Sequence, residues 1–264
     1  MNIIEVKNLV KKFGDFMAVD DVSFSVAKGE IFAFLGPNGA GKTTSIRILT
    51  TMLKRIGGEV LVDGKDPAKD ALGVRRVCGI VFQDPSLDDE LTAFENMEIH
   101  GALFGVPKKL RRERIEQLLK YVELWDRKDD FIKNFSGGMK RRLEIARGIL
   151  HHPKVLFLDE PTLGLDPQTR NHIWGYIKNL NETEGITVFF TTHYMDEAER
   201  MASRITIIDH GQIIITGTAQ ELKEKANAAT LEDAFLALTG KVIREEEAGS
   251  ADRMRAAAKM WRRR

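Results

Sequence analysis

Short apolar runs separated by turn residues fill the first 35 positions: "IIEVKNLV", "AVDDVSFSV" and "EIFAFLG". They predict strands, the last one buried and ending at Gly36. "KTTSIRILTTML" then has helical spacing, and "GEVLVDG" and "RRVCGIVFQD" return to strand texture. From about Thr92 to Leu150 the period becomes helical, as in "TAFENMEIHGALFG" and "KKLRRERIEQLLKYVEL". "KVLFLDEP" and "ITVFFTTH" are apolar without alternation, which predicts strands covered on both faces in a parallel sheet. "PQTRNHIWGYIKNLNETEG" between them predicts the crossover helix. "RITIIDHGQIIITG" predicts a hairpin turning at His210-Gly211, and "TAQELKEKA" and "LEDAFLALTG" predict two closing helices. No internal repeat is present. The expected organisation is an α/β core over about 1–85 and 152–220, interrupted by a helical insert over about 86–151. Helices follow over about 218–240, completing one module over 1–240. The apolar pattern stops at about Val242, so 241–264 is expected to be a basic, mobile tail.

Composition narrows the class. The 264 residues are 43% hydrophobic and 30% charged, ordinary for a water-soluble globular chain. No apolar run reaches 18 residues, so no membrane span is expected, and "MNIIEVKNLVKKF" is too mixed in charge for a leader. The one cysteine, Cys78, can form no internal disulfide or cysteine zinc cluster. It reads as a small buried residue in a reducing cytoplasm. Net charge is +1, but the last twelve residues, "RMRAAAKMWRRR", hold six basic groups. Without them 34 basic residues face 39 acidic ones, a net of −5. Such a body argues against general nucleic-acid binding. The tail could form a basic amphipathic helix with Met254, Ala257, Ala258 and Trp261 on one face, suited to anionic lipid.

"GPNGAGKT" matches G-x-x-x-x-G-K-[ST] and lies between an expected strand and an expected helix. Glycines there let the backbone wrap phosphate oxygens. Lys42 would neutralise the β- and γ-phosphates, and the Thr43 hydroxyl would reach Mg²⁺. In "VLFLDE", Asp159 follows four apolar residues, at the carboxyl end of a buried strand where α/β sheets bind ligands. It would hold Mg²⁺, and Glu160 would orient or deprotonate the attacking water. A second anion site is implied by "NFSGGMKRRLEIARGIL", whose helix opens on Ser-Gly-Gly with free N–H groups and a positive dipole end.

With these motifs in order, residues 3–240 resemble the ATP-binding subunit of ABC transporters. The resemblance implies a P-loop NTPase core with a mainly parallel sheet, an N-terminal antiparallel β subdomain and a helical insert. It places Phe13 against adenine and makes Gly36, Pro37, Asn38, Gly39, Ala40, Gly41, Lys42, Thr43 and Thr44 the phosphate loop. Gln83, in "IVFQD", resembles the glutamine that senses Mg²⁺ and the attacking water. "FSGGM" resembles the signature motif, "LGLDP" with Asp166 the loop that crosses between subunits, and His193 in "TTHYMDEA" the switch histidine. Taken singly, a histidine after a strand, one phenylalanine of 14, or an aspartate before proline is ordinary. Their joint order carries the resemblance.

The family pairs two nucleotide domains head to tail. Ser136, Gly137 and Gly138 would then bind the γ-phosphate of the partner's ATP. That accounts for two phosphate-binding helix starts in one chain. Met139 stands where the family commonly has glutamine and cannot donate that hydrogen bond. "SGGMKRRLEIAR" resembles the daunorubicin-resistance branch of drug and antibiotic exporters. The resemblance implies an ATPase, with ATP and Mg²⁺, at the inner face of the membrane. Its expected partners are a separate transmembrane permease and a second ATP-binding subunit, by preference another copy. The acids Asp84, Asp88, Asp89 and Glu90 are candidates for meeting a basic permease helix. The alternatives are a soluble ABC-type ATPase acting on nucleic acid or ribosomes, and a P-loop small-molecule kinase.

Overall fold

The computed structural model describes residues 1–240, and the tail with its Met254–Trp261 face lies outside the described residues. Among the described residues the strands form two sheets. In the first, β1 (Asn2–Phe13) pairs antiparallel with β2 (Phe16–Ala27) and β4 (Gly57–Val62), in the order β2-β1-β4. The second contains β3 (Ile31–Leu35), β5 (Cys78–Val81), β6 (Val155–Asp159), β7 (Thr187–Thr192), β8 (Arg204–Asp209) and β9 (Gln212–Gly217). Its order is β5-β6-β7-β3-β8-β9, parallel throughout except for the β8–β9 hairpin.

The runs without alternation are strands buried on both faces, since every residue of β3, β6 and β7 is buried. On one face Phe32, Phe34, Phe157 and Phe189 pack under the antiparallel sheet together with Phe24. On the other, Leu156, Leu158 and Phe190 meet Ile173, Trp174 and Ile177 of α6 (Pro167–Glu184). A separate cluster joins α3 (Ala93–Leu103), α4 (Lys108–Tyr121) and α5 (Gly137–Ile149) through Met97, Ile115, Leu119 and Leu143. The remaining helices are α1 (Lys42–Leu49), α2 (Ala71–Val77), α7 (Met195–Met201), α8 (Ala219–Ala226) and α9 (Leu231–Thr239).

Local chemistry sets the boundaries. Thr92 and Glu95 form a reciprocal capping box at the start of α3. Asp166 caps α6, with Pro167 in its first turn. The β8–β9 turn has positive φ at both His210 (45°) and Gly211 (78°), the primed turn whose twist matches a two-residue hairpin. One run departs from its expected texture. Arg75–Val77 of "RRVCGIVFQD" belong to α2, and only Cys78–Val81 are strand. Asp70 accepts a bond from Gly73 N at 2.8 Å and starts a helix with Val74 buried, and the chain becomes extended at Cys78, where pairing with β6 begins. Cys78 is buried, and burial pushes its thiol well above the usual range.

Candidate active site

Three adjacent parallel strands, β6, β7 and β3, end side by side, and their carboxyl ends carry the polar groups. From β3 the chain enters the loop 36–41 and then α1. At Gly41 φ is 103°, and a Cβ would stand 2.5 Å from the Ala18 carbonyl oxygen, so backbone and space both demand glycine. Lys42, 5% exposed, folds its amine back over the loop and donates to Gly36 O at 2.7 Å and Pro37 O at 3.0 Å. The same amine lies 3.5 Å from Glu160 Oε1. Burial lowers the Lys42 pKa despite the opposing pull of Glu160 and Asp159.

Asp159 ends β6. Its Oδ1 accepts from Thr191 Oγ1 at 2.6 Å and Thr43 Oγ1 at 3.1 Å. Its Oδ2 is buried with no hydrogen-bond partner. An orphaned buried carboxylate oxygen is costly unless something cationic meets it. Burial raises the Asp159 pKa even with both threonines donating. One free carboxylate oxygen next to a threonine hydroxyl suits a hard cation that keeps water and phosphate oxygens as its other ligands.

Glu160, 7% exposed, has φ 48°, a left-handed backbone that a non-glycine residue rarely adopts. Its N–H is shared between Thr191 O (3.2 Å) and Thr191 Oγ1 (3.1 Å). His193 Nδ1 lies 3.3 Å from Glu160 Oε2, off the line of a hydrogen bond. Burial alone would raise the Glu160 carboxyl, but His193 and Lys42 outweigh it and hold the pKa below its ordinary value. An ionised carboxylate therefore stands beside the buried Lys42 amine.

The other expected residues are not bonded to this cluster. Ser136 caps α5, and its Oγ accepts from Met139 N at 3.3 Å, with Ser136 and Gly137 exposed. Gly138 backs onto Thr169, whose hydroxyl donates to Asp166 Oδ2 at 2.6 Å. Among the described residues no hydrogen bond or ion pair joins Ser136, Gly137, Gly138 or Asp166 to the loop 36–44. Phe13, 42% exposed, lies by the β1–β2 turn with the Lys11 ammonium 5.0 Å from its ring centre. Gln83 is exposed, two residues past β5. Of the acids proposed to face a permease, Asp89 is paired with Lys140 (2.7 Å) and Glu90 with Lys133 (3.2 Å), so that surface is partly neutralised from within. A cavity of about 190 Å³ between α4 and α6, lined by Arg114, Tyr121, Leu180 and Glu184, touches none of these groups.

A family model described as "ABC transporter" matches residues 19–163, more than half of the chain. This chain is an ABC ATPase. A shorter match, residues 132–195, is to a model described as "AAA domain, putative AbiEii toxin, Type IV TA system", and spans α5 to His193. The linearmycin resistance ATP-binding protein LnrL of Bacillus subtilis is 41% identical to this ABC ATPase, over 87% of the chain and 73% of that protein. The daunorubicin/doxorubicin resistance ATP-binding protein DrrA of Streptomyces peucetius is 43% identical, over 86% of the chain and 69% of that protein. Among solved structures, an ABC transporter ATP-binding subunit superposes with a TM-score of 0.83 at 28% identity, covering 90% of this chain and all of that one. A dimeric ATP-binding cassette in a post-hydrolysis state with ADP and Pi superposes at 0.74 and 30% identity, covering 81% of this chain and 98% of the other. The ABC ATPase thus has the α/β cassette fold of nucleotide-hydrolysing subunits.

Thr191 was not among the residues singled out from the sequence, although it touches both acids. Two threonines closing the apolar run "TVFFTT" are the available signal. Buried polar groups at the carboxyl end of a strand need partners, and here the partners are the acids of the neighbouring strand.

Proposed function

We propose that this ABC ATPase works as a head-to-tail pair powering a separate membrane permease that exports amphiphilic drugs or antibiotics. The observation that carries the site assignment is the Glu160 carboxylate held between Lys42 and His193, beside the unpartnered oxygen of Asp159. Loop 36–44 cradles the phosphates, and Phe13 stacks on adenine. An incoming phosphate takes over the Lys42 donors now spent on Gly36 and Pro37. Thr43, Asp159 and Gln83 would hold Mg²⁺, which when bound would neutralise phosphate charge. Glu160 accepts the proton of the attacking water, and His193 orients Glu160 and meets the γ-phosphate.

Ser136, Gly137 and Gly138, exposed at a helix N-terminus and remote in bonding from their own loop, bind the γ-phosphate of the partner's ATP. Asp166 lies at that same face. The dimeric ADP·Pi cassette supports the pairing. The export reading is supported by the resistance names of the relatives and by a 41% identical Nod factor export ATP-binding protein I from Ralstonia nicotianae. Among the described residues no helix is long and apolar enough to cross a membrane, consistent with a separate permease and a position at the inner face. The working unit is 1–240, with the insert bounded near 86 and 151.

The test is Glu160→Gln, tagged and extracted from native membranes in mild detergent. With Mg-ATP the purified variant is expected to sediment as a dimer, and the membrane extract to contain a stoichiometric polytopic protein. A monomer at saturating nucleotide would count against the sandwich, and a soluble or nucleic-acid partner against export.

A further inference from the structure

The signature helix α5 carries a buried ionic group that none of the site assignments uses. Arg141 is one turn inside α5 and 7% exposed. Its Nε donates to Pro161 O at 2.6 Å, and its Nη2 to Glu160 O at 2.8 Å and Asp159 O at 3.5 Å. Its Nη1 donates to Phe82 O and lies 3.2 Å from Glu144 Oε2. Glu144, also buried, turns its other oxygen to Ser86, accepting from Ser86 N at 2.7 Å and Ser86 Oγ at 3.1 Å. Arg147 grips the same residue, donating to Ser86 O at 2.8 Å and to Ser86 Oγ. One helix face therefore holds both ends of the segment 82–86 that contains Gln83. It also holds the backbone on either side of the Glu160 side chain.

We infer that Arg141 is a positioning residue, through which the Ser136–Gly138 end of α5 sets the Glu160 carboxylate and Gln83 of its own chain. Only a guanidinium has enough donors, in a planar fork, to serve carbonyls from two separate segments at once. The left-handed backbone at Glu160 persists only where its surroundings over-determine it. Thr191 holds the N–H side and Arg141 the C=O side. A shift of α5 when its N-terminus meets an anion moves Arg141, and with it both groups that face the attacking water. In the proposed dimer, arrival of the partner's ATP thus prepares hydrolysis in the chain that receives it at α5. This inference rests on Glu160 being the hydrolytic carboxylate.

The experiment uses full-length Arg141→Lys, which keeps the counter-charge for Glu144 and so protects folding, beside wild type and Glu160→Gln. Misplacement of about 1 Å at a reacting group costs about 10²-fold. ATPase kcat is expected to fall by about that factor in Arg141→Lys, with the KM for ATP within about twofold and the ATP Hill coefficient moving toward one. Mg-ATP-dependent dimerisation, followed by sedimentation, is expected to survive, because the binding ends of both helices are untouched. Arg141→Met with Glu144→Gln removes both charges together and gives the same pattern should the lysine find partial contacts. Unchanged kcat in both variants, or a fall in kcat accompanied by loss of ATP binding and of dimerisation, overturns the inference. Glu160→Gln separates the two readings. If it still turns over ATP, the carboxylate assignment fails. If it is inactive while Arg141→Lys is normal, only the positioning inference fails.

Discussion

Thr191→Val isolates one atom of the site. Valine keeps the branched shape and the β-strand preference, so the change deletes a hydroxyl and little else. That hydroxyl donates a 2.6 Å bond to Asp159 Oδ1 and shares the Glu160 N–H, which retains the Thr191 carbonyl at 3.2 Å. A hydrogen bond to a charged group contributes about 1.5–3 kcal/mol. Asp159 would keep only the Thr43 hydroxyl at 3.1 Å, while its other oxygen is already unpartnered. The expected loss in stability is about 2 kcal/mol, or about 4–8 °C in Tm for a chain of this size. Because Asp159 is the proposed Mg²⁺ ligand and Thr191 orients it, half-saturation by Mg²⁺ in the ATPase assay should rise by about tenfold or more. Thr192→Val is the control. Thr192 is equally buried, but its hydroxyl donates to Glu197 at 3.3 Å and accepts from Tyr194 N, so it should lower Tm without moving the Mg²⁺ dependence. A Thr191→Val protein with wild-type Tm and Mg²⁺ dependence would refute the reasoning, as would an equal Mg²⁺ effect in both variants.

Two further contrasts follow from the same geometry. A Cβ at Gly138 would meet Thr169 Cγ2 at 2.8 Å, whereas at Gly137 it would meet nothing within 4 Å. Gly138→Ala should therefore lower thermal stability by about 1–2 kcal/mol through overpacking. Gly137→Ala should hold or raise Tm through helix propensity while weakening the Mg-ATP dimer measured by sedimentation. At the other end of the fold, Arg55 donates to both oxygens of Asp66 at 2.8 Å, and this pairing lowers the Asp66 pKa to about 2. A carboxyl lowered on folding stabilises above its ordinary value and loses that contribution as pH falls through the folded one. Asp66→Asn should thus cost about 1–2 kcal/mol at pH 7 in urea unfolding, after allowing for solvent screening. The difference should shrink between about pH 4 and pH 2, and a pH-independent difference would assign the effect to shape instead.

The buried strands and the glycine loop 36–41 were legible because each carries a local mark. Unalternating runs such as "KVLFLDEP" follow from coverage on both faces, and the loop glycines answer a backbone demand at one place in the chain. The end of α2 was not legible, because "RRVCGIVF" has no local feature separating Val77 from Cys78, and the boundary is set by pairing with β6. Arg141 and Glu144 were missed for a different reason. In "MKRRLEIAR" the apolar stripe accounts for the helix, so charges off the stripe read as solvated. Both are nevertheless buried, because α5 is covered on more than one side, by the insert cluster and by the segments 82–86 and 159–161. Thr191 lies between these cases. Its polarity in a buried strand is visible in sequence, but its partner is a cross-strand neighbour 32 residues away.

Glu160 is held from two sides, and the two holds are unequal. A left-handed non-glycine residue costs about 1–3 kcal/mol, comparable to one or two hydrogen bonds. Loss of the Thr191 hydroxyl leaves the Glu160 N–H bonded to the Thr191 carbonyl, so the backbone conformation should survive and the damage should fall on Asp159. Loss of the Arg141 fork removes a guanidinium donor from three consecutive carbonyls, Asp159 to Pro161, and from Phe82 at once, and leaves the Glu160 carbonyl only the longer 3.3 Å bond from Leu163 N. The strain at Glu160 can then relax. Thr191→Val should accordingly behave as a stability and Mg²⁺ variant with a modest effect on kcat at saturating Mg²⁺. Arg141→Lys should behave as a rate variant with a near-normal KM. Measuring both proteins across Mg²⁺ concentration decides whether the two holds are separable. If saturating Mg²⁺ fails to restore Thr191→Val while Arg141→Lys is restored, the geometry has been assigned to the wrong side of Glu160.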